Sequence, residues 1–119
     1  MPTEIRRIVF SSDELRQALD AHLMSVGVTL PVGYIQAAQF DAAAAELWLS
    51  VYDGQRDETH EAIVSGAQAA ASLIKFCFAK RIPLPKDARK TIAIVGDNVA
   101  LEVRRQQVVA AVATAEAAQ

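Results

Sequence analysis

From Ile5 to Phe10 the chain reads Ile-Arg-Arg-Ile-Val-Phe, β-branched and aromatic, with Ile5, Arg7 and Val9 on one side and Arg6, Ile8 and Phe10 on the other, which predicts a strand. Ser11-Ser12-Asp13-Glu14 follows as a capping-box pattern, in which a serine hydroxyl takes an orphan amide and the glutamate reaches back. From there the period lengthens. Leu15, Ala18, Leu19, His22, Leu23 and Val26 recur at three- and four-residue steps, predicting an amphipathic helix that Gly27 is placed to stop.

Val28 to Gly33 contains Leu30-Pro31 and is extended, because proline lacks an amide donor and disfavours the helical region at the residue before it. Ile35–Phe40 and Glu46–Tyr52 are the strands of a first hairpin joined by Asp41–Ala45, with a helical turn as the alternative for the four alanines. Gln55–His60 reads as a polar connection, and a second helix is expected from about Glu58 to Lys80. That helix carries Ile63, Val64, Leu73, Ile74, Phe76 and Phe78 around much of its circumference, so cover on more than one side is expected. Lys90–Val95 and Val99–Arg104 form a second hairpin around Gly96-Asp97-Asn98, residue types that tolerate positive φ. Arg105–Gln119 has neither Gly nor Pro and predicts a terminal helix.

Sliding the chain against itself by 54 residues sets Leu19 on Leu73, Leu30-Pro31 on Leu84-Pro85, Phe40 on Ile94, Leu47 on Leu101 and Leu49 on Val103. The expected fold is therefore α+β in one domain over residues 1–119, in the order β-α-β-β-α-β-β-α. Two α-β-β pseudo-repeats, about 12–52 and 66–106, would form one antiparallel sheet with the helices on one face. A chain of 119 residues is long enough to bury about two-thirds of its unfolded surface in one core.

Charge changes this picture by dividing the chain. Residues 1–61 hold four Lys/Arg and ten Asp/Glu, net −6, whereas residues 62–119 hold eight and four, net +4. Such halves can meet head to tail, which makes a homodimer the expected state. The basic side chains gather at Lys80, Arg81, Lys86, Arg89 and Lys90, with Lys75, Arg104 and Arg105 nearby. They form a candidate anion- or partner-binding segment for an acidic protein or, as the alternative, for nucleic acid. Against the alternative, no aromatic residue is interleaved and the net charge is −2.

Candidate chemistry is sparse. His60-Glu61 begins like a zinc-protease helix, but the position of the second histidine is Val64. His22 and Cys77 sit on apolar stripes and are expected to be core residues. No nucleophile elbow, phosphate-binding loop or cysteine pair is present. The chain is thus expected to be a binding or regulatory module without cofactor, metal or catalytic site, an enzyme with a pocket lined by His22, Trp48 and Tyr52 being a further alternative. A single cysteine and no apolar signal or membrane-spanning run suggest a cytoplasmic protein.

Overall fold

In the computed structural model, which describes residues 2–106, the chain forms β1 (Thr3–Phe10), α1 (Ser12–Ser25), β2 (Tyr34–Asp41), β3 (Glu46–Asp53), β4 (Glu58–Ser65), α2 (Gly66–Ala79), β5 (Arg89–Val95) and β6 (Asn98–Gln106). The α+β class is as expected; the order is not. Residues expected to open the second helix are instead strand β4. There Glu58, His60, Ala62 and Val64 alternate with Thr59, Glu61, Ile63 and Ser65, a period of two disguised by its many polar members. Helix α2 starts only where the Ser65 hydroxyl accepts the Gln68 amide at 3.1 Å. Arg105, assigned to a terminal helix, belongs to β6, and the remainder of that helix lies outside the described residues.

The single sheet is also corrected, to two antiparallel sheets of three strands. One, sheet A, runs β1-β6-β5; the other, sheet B, runs β2-β3-β4. Strands β2 and β5 are the adjoining edges and come into contact, but no ladder joins them. A register irregularity between Ile35 and Ala37 bends β2, and a bulge of this kind blunts an edge. Sheet B is a meander of three consecutive strands, whereas sheet A joins the β5–β6 hairpin to a strand from the start of the chain. Strand β1 pairs with β6, setting Ile8 opposite Leu101, and β4 pairs with β3, setting Val64 opposite Leu47.

Both helices have 14 residues, and their ends match at the 54-residue offset. Ser11 accepts the Glu14 amide at 3.1 Å, as Ser65 does that of Gln68, but only the first cap is a full box, with Glu14 returning to the Ser11 amide. At the other end the Val28 amide donates to the Leu23 carbonyl and that of Ile82 to Cys77, both at 2.8 Å. Gly27 and Arg81 occupy the same place in these two caps, with φ of 81° and 60°. Glycine is at ease there; arginine is strained.

The helices run antiparallel. His22 near the end of α1 meets Gln68 near the start of α2, and the Lys80 charge at the end of α2 acts on Glu14 at the start of α1. They share one core with the inward sides of both sheets, centred on Leu19, Leu47, Leu49, Leu73, Val99 and Leu101. Helix α2 is covered by the sheets and by α1, which bury Ala69, Ser72, Leu73 and Cys77, while Phe78 on another side is 71% exposed. Two arginines fasten the proline-containing connections, Arg16 donating to the Pro31 carbonyl at 2.7 Å and Arg6 to that of Pro83 at 2.9 Å. Among the described residues no helix is long and apolar enough to cross a membrane.

Backbone constraint gives a paired test. Gly33 has φ of 130°, and a Cβ there would stand 2.2 Å from the Tyr52 carbonyl oxygen, so Gly33→Ala forces β2 and β3 apart. Its cost should exceed the ~1–3 kcal/mol of backbone strain alone. Arg81→Gly removes strain instead and should raise stability by up to about 1 kcal/mol. Urea midpoints of the two variants are expected to move in opposite directions.

Candidate functional site

Strand alternation sorts the side chains of each sheet into one face toward the helices and one away from them. On sheet B the outward face carries Tyr34, Ala37, Gln39 and Asp41 from β2, Glu46, Trp48, Ser50 and Tyr52 from β3, and Thr59, Glu61, Ile63 and Ser65 from β4. Trp48 lies directly opposite both Gln39 and Ile63, which makes an apolar centre. Trp48 is 39% exposed and Ile63 52%. Tyr34 and Tyr52 meet edge-on at 5.7 Å, and the Tyr52 hydroxyl donates to Asp57 at 2.7 Å, which raises the phenol's pKa. Shallow cavities of about 180 and 320 Å³ adjoin Trp48 on this face, the first between Ala37, Ser50 and Glu61, the second beside Gln39 and Asp41.

Sheet A presents a different outward face. Thr3, Ile5, Arg7 and Val9 of β1 lie beside Ala100, Glu102 and Arg104 of β6, then Arg89, Thr91 and Ala93 of β5. Its middle row is Arg7, Glu102 and Thr91, and Ala93 pairs with Ala100 one row nearer the β5–β6 turn. Glu102 is held between Arg7 Nε at 3.0 Å and Arg104 Nη2 at 3.3 Å. The Arg104 hydrogen bond, then that of Arg7, keeps its carboxyl below the ordinary carboxylate range.

The basic segment is divided by the fold. Arg89 pairs with Arg104 and faces outward, while Lys90 pairs with buried Val103 on the helix side and donates to the Ala88 carbonyl at 3.1 Å. Adjacent strand residues necessarily part in this way. Lys80 caps α2 with its ammonium 5.5 Å from the Phe76 ring centre, Arg81 follows in the turn, and Lys86 is exposed in the connection. Near it a cavity of about 240 Å³ is lined by Arg6, Pro85, Arg105, Val103 and Glu4.

The three residues of the alternative pocket are likewise separated. His22 is 8% exposed between the helices, whereas Trp48 and Tyr52 are on the outward side of sheet B. His22 is a satisfied interior group: Lys75 Nζ lies 3.0 Å from its Nδ1, and Gln68 Oε1 is at its Nε2. Lysine only donates, so Nδ1 accepts and Nε2 carries the proton. Cys77 is fully buried, and burial raises its thiol pKa. Among the described residues no cluster of His, Cys, Asp or Glu is arranged to hold a metal ion. The Trp48–Ile63 contact is the feature sequence pattern alone passes over, since it needs the register of β3 against β4. No known protein family, curated protein or solved structure matches the chain.

Two outcomes test these assignments. His22→Ala should cost about 0.5–1.5 kcal/mol for the lost hydrogen bonds, since Gln68 and Lys75 are exposed and can turn to water, read from thermal or urea unfolding. Glu102→Gln should cost about 0.5–1 kcal/mol at neutral pH. Because the folded pKa is lowered, that benefit is present above the ordinary value of 4.5 and disappears as pH falls through the folded value, so wild type and Glu102→Gln should converge in acid.

Proposed function

We propose that the chain is a small binding module that acts through protein contacts and self-associates, using the outward face of sheet B. The observation that carries this is the exposed pair Trp48 and Ile63, neighbours across the β3–β4 ladder on the sheet face turned away from α1 and α2. Tryptophan and tyrosine on an open, rigid surface are residues that dominate binding energy at interfaces. Tyr34 and the acidic side chains of Asp41, Glu46 and Glu61 rim the patch, an apolar centre with a polar border.

The runs β1-α1-β2-β3 and β4-α2-β5-β6 are, on the same proposal, two copies of one unit, larger than the α-β-β unit of residues 12–52 and 66–106. Matching caps at Ser11 and Ser65, and at Gly27 and Arg81, support this. A cytoplasmic setting accords with the single, buried Cys77.

Binding of an acidic protein or of nucleic acid through Lys80, Arg81, Lys86, Arg89 and Lys90 ranks behind. The division of Arg89 from Lys90 and the engagement of Lys90 by a backbone carbonyl weigh against a single anion-binding surface there.

Light scattering across a concentration series tests the first choice. The wild type should have twice the chain mass at micromolar concentration, and Trp48→Ala with Ile63→Ser should weaken association at least about tenfold while the variant keeps a cooperative melting transition and its circular dichroism spectrum, as expected of a central apolar contact. A monomeric wild type, or a dimer indifferent to both substitutions, would contradict it.

A further inference from the structure

We infer that the occupant of the outward face of sheet B is the outward face of sheet A in a second copy, in a closed, reciprocal sandwich where each copy gives and receives both faces. This rests on the self-association proposed above and names its geometry. The two faces differ in charge in a way the whole-chain value conceals. On sheet A, Arg7, Arg89 and Arg104 stand against Glu102 alone, net +2. On sheet B, Asp41, Glu46 and Glu61 stand with no basic residue, net −3.

Apolar groups are available on both faces: sheet B shows Trp48 and Ile63, and sheet A shows Val9 and Ile5, 45% and 46% exposed, on either side of Arg7 along β1. A face that is basic on one sheet and acidic on the other repels its own kind and attracts the opposite kind.

Both sheets turn their other side to the common helix layer and adjoin along β2 and β5. A two-fold axis near that seam lays A on B and B on A at once. The contact between unlike faces then closes at two copies, where a single A-on-B contact would propagate as a filament.

A charge-exchange experiment on the full chain tests this. One variant carries Arg7→Glu and Arg89→Glu, making both of its faces acidic; the other carries Glu46→Lys and Glu61→Lys, making both basic. Each alone should associate at least about tenfold more weakly than wild type, and an equimolar mixture should recover a one-to-one heterodimer, since electrostatic complementarity decides the partner. Melting curves establish that each variant is folded. Arg89→Glu alone, which places a carboxylate opposite Arg104, serves if the double change disturbs β1 and should weaken association in the same direction.

A monomeric wild type overturns the self-association on which the sandwich depends. A dimeric wild type whose folded charge variants stay dimeric, or fail to recover on mixing, overturns only the reciprocal arrangement. Mass that keeps rising with concentration beyond two copies overturns its closure.

Discussion

The fold depends on two ladders that join its halves, β1 on β6 and β4 on β3. Strand β1, at the start of the chain, completes a sheet with β5 and β6 at the end of the described residues, and β4 completes the sheet of β2 and β3. A two-stranded hairpin is marginal in water, and a third strand with an apolar face is what makes it stable. The core follows from this. Ile8 and Phe10 are brought to Leu101 and Val99, Val64 to Leu47, and the antiparallel helices close over both inward faces with Leu19 and Leu73 fully buried. The β1–β6 ladder delays its reward until distant parts of the chain have met, whereas β3 and β4 are joined directly through residues 54–57.

Pairing of this kind also creates the outward surface. Trp48 meets Ile63 only because β4 lies on β3, and Glu102 gains Arg7 only because β1 lies on β6. One sheet consequently shows an aromatic, acidic face and the other a basic one.

Much of the fold was legible in local chemistry and the rest was not, for physical reasons. Ser11 with Glu14, the Leu-Pro connections and Gly96-Asp97 act within a few residues, so the first helix and both hairpins fall where pattern places them. Strand β4 escapes because Glu58, His60 and Glu61 give it the composition of a connection, and its β character comes from the ladder to β3. The break between the sheets escapes too, since the irregularity at Ile35 to Ala37 leaves no mark in the sequence. Among the basic residues, Lys80 to Lys90 reads as one cluster along the chain, and only the β5 pleat parts Arg89 from Lys90. The outward patch needed register, which no single segment contains.

Splitting the chain between β3 and β4 tests the strand exchange most directly. Fragments 1–54 and 55–119 would each lose the partner of their first strand. Circular dichroism and amide hydrogen exchange should find each largely unfolded alone, and mixing should restore protection in β1, β3, β4 and β6 together. A fragment that folds and protects its hairpin by itself would contradict the account.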